Sequence, residues 1–239
     1  VARTPGAALR LRRRLARLAR SPRVLLVRVH DFAGSLAAAG GAPHGWRETP
    51  ESCQVLDLPD DPEVLFRDAF TMQNRNKIRK AEKQGVVVRR AHDAAALAIY
   101  ARLYADSAQR WGLARRLPPV FFEALAAAPS GVDVWLAELA GAPVAALLNF
   151  TWGGQIMNWG NVSRRDAWGA SPNNLLHWRA LQAACLDTGG PRLYNFGSSA
   201  GLPGVETFKA SFGARPYAYA RRERGPAWLW ARRRRAARI

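Results

Sequence analysis

Three stretches of this 239-residue chain combine residue types and spacings that can do chemistry. The first is Arg75-Asn-Lys-Ile-Arg-Lys-Ala-Glu-Lys-Gln-Gly85. On a helix Arg75, Arg79 and Glu82 share one side at i, i+4 and i+7, and Lys77 and Lys80 crowd the adjoining side. Such a cluster can grip phosphates; a solvated cationic helix end, suited to the helix dipole, is the plainer reading. The second is Ala170-Ser-Pro-Asn-Asn-Leu-Leu-His-Trp178, which opens a helix. Free backbone N–H groups at a helix start suit an anion or a polarised carbonyl, and an ordinary Ser/Pro/Asn cap reads the same way. Arg164 and Arg165 lie just upstream and add charge. The third is Thr207-Phe-Lys-Ala-Ser-Phe-Gly213, in which Lys209 is the only Lys of the last 150 residues. A single cation between Phe208 and Phe212, beside an apolar pocket, suits a developing oxyanion or a substrate carboxylate. A surface lysine on a short helix is its rival.

Other chemistries find no support. There is no Ser-His-Asp arrangement, P-loop or dinucleotide fingerprint. His30, His44, His92 and His177 form no H-x-x-x-H or H-E-x-x-H pattern, and Cys53 and Cys185 give neither a disulfide scaffold nor metal spacing, so neither a metal nor a cofactor is expected. Apolar residues make up 49 % of the chain, which marks it as globular. No apolar run reaches the roughly 18 residues of a membrane span, and no secretory signal is visible. The formal charge of +18 sits at the ends: residues 1–23 hold eight Arg and no acid, and residues 215–239 hold nine Arg and one acid. The middle is nearly balanced. This distribution points to an anionic partner, nucleic acid, phospholipid or phosphorylated substrate, or to a solvated Arg/Ala bias.

These residues need elements to position them. Residues 7–20 read as a basic amphipathic helix and 24–29 as a buried strand, with a short helix and loop over 33–45. Residues 52–58 alternate like a strand. Asp61 and Pro62 open a long helix expected over 62–84, which Gly85 stops. A strand at 86–91 and helices at 93–112 and 118–128 follow. Then comes a meander, 132–139, 143–151 and 155–161, with tight turns at Ala140-Gly141-Ala142 and Gly153-Gly154. A crossover helix over 172–187, a strand at 192–196, a short helix over 204–212 and a strand over 215–222 complete a mixed α/β (α+β) order. Residues 9–29 and 175–200 echo one another as helix, Pro-Arg turn, strand and small-residue loop, consistent with two related lobes.

Taken in order, several segments resemble the Fem-type peptidoglycan-bridge aminoacyltransferases (FemAB-like) of the GNAT acyltransferase superfamily. They are Ser52 to Leu58, Arg75-x-x-x-Arg79-Lys-Ala-x-x-x-Gly85-Val, Tyr100-x-x-x-Tyr104 through Phe121-Phe122, Ser171-Pro-Asn-Asn-Leu-Leu-x-Trp178, Gly190 to Gly197, and Phe208-Lys-x-x-Phe-Gly213. The resemblance spans residues 22 to 222. It implies a GNAT-like mixed sheet with an antiparallel meander flanked by helices. Residues 1–61 are then the remnant of a truncated first lobe, 62–223 the acyltransferase lobe and 224–239 a basic Trp/Arg tail. The family's helical coiled-coil arm has no room here. The usual Q/R-x-x-G-x-G/A pyrophosphate loop of acetyltransferases is unmatched, since Arg165-Asp-Ala-Trp-Gly-Ala is one residue out of register.

The resemblance implies transfer of an aminoacyl group from aminoacyl-tRNA to an amine of a peptidoglycan precursor. In that scheme Lys209 stabilises the oxyanion or orients the reacting groups, and Tyr194 relays a proton. Asn173, Asn174 and Trp178 line the donor or peptide groove, together with Phe208 and Phe212, and Arg75 and Arg79 meet phosphates. Acceptors in this family are often lipid-linked, so the enzyme is expected in the cytoplasm, with peripheral contact at the inner face of the membrane. Two Trp before four Arg in Trp228–Arg238 suit that contact. An acyl-CoA N-acyltransferase acting on a polysaccharide or lipid intermediate, and a non-catalytic basic binding protein, are the alternatives.

Overall fold

Caps and positive-φ residues set most element limits in the computed structural model, which describes residues 5–32, 45–113, 116–128 and 130–226. The described chain divides into two compact units, one made of Gln54–Pro216 and the other of the residues on either side.

In Gln54–Pro216 the sheet is built from the end of β2 (Arg47–Asp57), β3 (Val87–Ala91), β4 (Val132–Leu139), β5 (Ala142–Trp152), β6 (Gln155–Ser163) and β7 (Leu193–Asn195). Its strands lie in the order β2-β7-β6-β5-β4-β3, with the meander at the centre. The meander turns are tight because Ala140 and Gly141, then Gly153 and Gly154, all take positive φ, the geometry that matches strand twist in two-residue hairpins. The crossover helix α6 (Pro172–Leu186) joins β6 to β7 and makes that one pair parallel.

Side chains alternate along the strands and feed two cores. Trp135, Ala137 and Leu147 pack with α6 (Leu175, Leu176, Leu181) and with Ile78 of α3 (Met72–Lys83). Val134, Leu136 and Leu148 pack on α4 (Ala94–Arg110), through Leu97, Tyr100 and Leu103, and on Phe122 of α5 (Pro119–Ala126). A short helix α7 (Pro203–Ala210) precedes the last strand, β8 (Arg215–Arg224).

The helix expected over 62–84 is two pieces. Asp61 caps α2 (Pro62–Val64), a wide π turn covers Leu65–Ala69, and Phe70 is extended at φ −78°, ψ 137°. The break lets Phe70 turn its ring into the core against Trp178 and Phe212. Thr71 then recaps the chain by accepting a hydrogen bond from Asn74 N at 3.2 Å.

The other unit contains α1 (Pro5–Leu18), β1 (Val27–Asp31), the first part of β2 and the end of β8. β1 and β8 pair antiparallel from Val27↔Arg224 to Asp31↔Ala220. Buried Arg222 holds Asp31 and Glu48, and Arg28 holds Glu223. Most of the expected 33–45 helix, and all of Trp228–Arg238, lie outside the described residues. No helix of the described residues is long and apolar enough to cross a membrane.

Candidate active site

The sheet opens where its one parallel pair ends. β6 and β7 pair from Gln155↔Leu193 to Met157↔Asn195 and no further. β6 runs on to Ser163 beside β5. The chain after Asn195 turns the other way: Phe196 N donates to Gln54 O at 2.8 Å, and Gln54 N donates to Gly197 O. Gly197 makes this turn at φ 72°. Between the parted strands lies a cleft of about 820 Å³. Asn158–Val162 form one wall and Phe196–Ser198 the other; Tyr100 and Tyr104 of α4, and Phe208 and Lys209 of α7, close it.

Lys209 is buried at this site, 6 % exposed. Its ammonium donates to Gly197 O at 2.8 Å, Ser198 O at 2.9 Å and Gln54 Oε1 at 3.4 Å. Among the described residues these three acceptors are all neutral. The ammonium fixes the Gly197–Ser198 wall and places a positive field beside the cleft.

A chain of neutral polar groups runs under the cleft. Asn161 Nδ2 lies 3.3 Å from His177 Nε2, and His177 Nδ1 lies 3.3 Å from the Tyr194 hydroxyl. Tyr194 donates to Asn149 Oδ1, which also accepts from Asn158 Nδ2 at 2.9 Å. His177 sits among Phe196, Phe208 and Phe212. Burial, and then the Lys209 cation, lower its pKa to about 3, so the ring is neutral at physiological pH. Burial raises the pKa values of Tyr100 and Tyr194, so both keep their protons.

The site residues named from sequence are scattered across this architecture. Lys209 and Phe208 line the cleft. Tyr194 lies beneath it, fully buried and hydrogen-bonded to Asn149, and holds its proton. Phe212 and Trp178 are core residues packed on Phe70. Asn174 donates to Asn74 Oδ1 at 2.8 Å in a buried pair that ties α6 to α3, and Asn173 donates to Ser163 Oγ. Arg75 donates to the carbonyls of Phe66, Arg67 and Phe70, which the helix break leaves unpaired. The exposed Arg79 lies over the Phe66 ring at 5.5 Å. Sequence reasoning missed Tyr100, Asn158, Asn161 and His177 as site residues. The one local signal was the run Asn158-Trp-Gly-Asn161, polar and glycine-bearing in the last strand of a meander whose core is otherwise apolar.

A family model described as an acetyltransferase (GNAT) domain matches residues 70–210. Among solved structures, that of FemX superposes with a TM-score of 0.65 at 14 % identity, over 91 % of this chain and 77 % of that one. A conserved protein of unknown function from Bacteroides thetaiotaomicron gives 0.59 at 11 % identity, over 90 % and 74 %. The C-terminal (DUF2156) domain of an Agrobacterium fabrum protein described as a lysylphosphatidylglycerol synthetase gives 0.57 at 11 % identity, over 80 % and 65 %. No curated protein sequence matches.

Proposed function

The chain belongs to the acetyltransferase (GNAT) domain family and is an acyltransferase; from that premise we propose that it moves an aminoacyl group from aminoacyl-tRNA to an amine of a peptidoglycan peptide precursor. The observation that carries the reading is the cleft itself. It offers a strand edge freed from its partner, a buried cation and neutral hydrogen-bonding groups, and its lining includes no carboxylate among the described residues. This is a setting for aminolysis of an ester. A neutral amine attacks the acyl carbon, and a tetrahedral oxyanion forms within the field of Lys209. The ester C–O bond breaks, and the amine proton leaves with the ribose hydroxyl.

The donor assignment rests on the Fem-type motifs and on the loop after β6. Where an acyl-CoA enzyme would present a glycine-rich phosphate loop, Arg164 is paired with Asp166, and Trp168 Nε1 donates to Ser163 Oγ at 2.9 Å. The exposed cations Lys77, Arg79, Lys80 and Lys83 of α3 would meet RNA phosphates. In the same reading the enzyme works at the inner face of the membrane, held by Trp228–Arg238, and vesicle sedimentation of a chain truncated after Gly225 tests that part. One observation favours an acyl-CoA donor instead: the free edge of β6 can pair with an extended amide chain.

Labelled aminoacyl-tRNA and labelled acetyl-CoA, each offered with a cell-wall pentapeptide, separate the two. Retention of tRNA that falls steeply with salt, with transfer to the peptide, is the expected result. Salt-resistant acetyl-CoA binding with no tRNA retention would reverse the assignment.

A further inference from the structure

We propose that the Tyr100 hydroxyl and the Asn161 side-chain carbonyl hold the reacting centre, Tyr100 donating to the acyl carbonyl oxygen and Asn161 accepting from the attacking amine, with His177 as the positioning residue for Asn161. The inference rests on the acyl-transfer reading of the cleft and assigns the groups that reading leaves unnamed.

Both atoms are buried, and among the described residues neither Tyr100 OH nor Asn161 Oδ1 has a hydrogen-bond partner. Buried polar groups without partners are rare because they forfeit their hydration. Here two line one cleft, at neighbouring points of the same strand edge. Tyr100 arrives from the α4 side, where Gly160 leaves room for its hydroxyl; a Cβ at Gly160 would collide with it. Asn161 follows at once and faces α6 through His177. A planar acyl group lying along the edge of β6 would meet a donor from one side and an acceptor from the other.

The polarity of the pair follows from the network. The Asn161 amide nitrogen can only donate, so His177 Nε2 accepts. A neutral ring then carries its proton on Nδ1, and Nδ1–H donates to the Tyr194 oxygen, whose own proton goes to Asn149. Asn161 is therefore held by its amide nitrogen on His177, which leaves its carbonyl oxygen as the free acceptor. As the C–N bond forms, negative charge grows on the oxygen facing Tyr100, and the amine's N–H points at Asn161. Bond breaking at the donor ester then releases its alcohol with the amine proton, and neither side chain changes protonation.

Turnover of labelled aminoacyl-tRNA with the pentapeptide, using the full chain, tests this. Tyr100→Phe should lower kcat by about 100-fold, as for loss of one oxyanion donor, with KM within threefold. Asn161→Ala should lower kcat at least tenfold. In ¹⁵N-histidine spectra the His177 ring should be protonated on Nδ1 alone from pH 5 to 8; a ring protonated on Nε2 overturns its positioning role. Ser198→Trp, which fills the cleft from an exposed position, should abolish transfer. If it does not, the cleft is not the active site and the acyl-transfer reading of it fails. If it does, while Tyr100→Phe and Asn161→Ala keep kcat within threefold, only the present inference is overturned.

Discussion

Two cavities of the Gln54–Pro216 unit treat buried polarity in opposite ways. The smaller, about 420 Å³, is lined by Arg90, His92 and Asp133 beside the alanines of α6. Its buried carboxylate is fully answered: Arg90 reaches Asp133 at 2.9–3.2 Å, and His92 Nδ1 lies 2.8 Å away. Among the described residues the larger cleft has no carboxylate in its lining, a cation held by carbonyls, and two neutral groups without a partner. Completed ion pairing braces a fold. Unfinished neutral hydrogen bonding, in a wall held rigid from below, leaves a place for a substrate to finish it.

The largest expected effect tests whether Lys209 belongs to chemistry or to bracing. Lys209→Met removes three hydrogen bonds. Gly197 O keeps Gln54 N and Gln54 Oε1 keeps Ser199 Oγ, so the main loss is at Ser198 O, and the substitution should cost about 1–3 kcal/mol of stability. It should also cost about 10²–10³ in kcat per folded molecule if the cation acts on the oxyanion. Urea unfolding measures the first and active-fraction-corrected turnover the second. Lost stability with kcat intact would make Lys209 a brace, and the contrast between the cavities would shrink to geometry.

His177 gives the next largest effect, and its sign is fixed. Its pKa in the folded chain, about 3, lies below that of an unfolded histidine, near 6.5. Between these values the unfolded state binds a proton that the native state refuses. This contribution is complete above pH 6.5 and is lost as pH falls toward 3, at about 1.4 kcal/mol per pH unit. Unfolding free energies at pH 7, 5.5 and 4.5 should therefore converge between wild type and His177→Gln as the pH drops. Parallel curves would mean that the ring is hydrated and the network open.

The order of elements was legible because short-range chemistry sets it. The meander turns, the start of α4, where Asp93 accepts from Ala96 N at 2.7 Å, and the crossover helix all follow from local residue types. The helix break at Phe70 was not, because Asp61 to Gly85 carries no internal Gly or Pro after Pro62. The break is paid for by tertiary contacts of Phe70 with Trp178 and Phe212. Arg75 illustrates the same limit: its spacing reads as a phosphate grip, yet three nearby carbonyls claim it. Of the site, Lys209 stood out by its rarity. Tyr100, Asn161 and His177 did not, since what distinguishes them is where β6 and β7 part, and that depends on residues far apart in sequence.

A crossed pair of substitutions sharpens the comparison further. Asp133→Asn removes a completed pair whose partners are half in solvent, and should destabilise by about 1–2 kcal/mol with turnover unchanged. Tyr100→Phe removes a hydroxyl with no partner to lose, and should leave stability equal or raise it by about 1 kcal/mol, a shift of roughly 2–4 °C in Tm. Calorimetry of both variants is sufficient. A Tyr100→Phe chain that unfolds earlier than wild type would show that its hydroxyl is already satisfied, and the two cavities would then be alike.

The smallest effects separate two arginines that sequence spacing had joined. Arg75 caps carbonyls at the helix break, so Arg75→Gln should lower stability by about 1 kcal/mol and leave the salt dependence of tRNA binding unaltered. Arg79 is exposed and lies over the Phe66 ring face. Arg79→Gln should change stability by less than about 0.5 kcal/mol. If Arg79 meets a phosphate, the slope of log K against log salt should fall by about one unit. Filter binding across a salt series reads both slopes. A reduced slope for Arg75 and none for Arg79 would exchange their roles, and would mean that the carbonyl cap opens when RNA arrives.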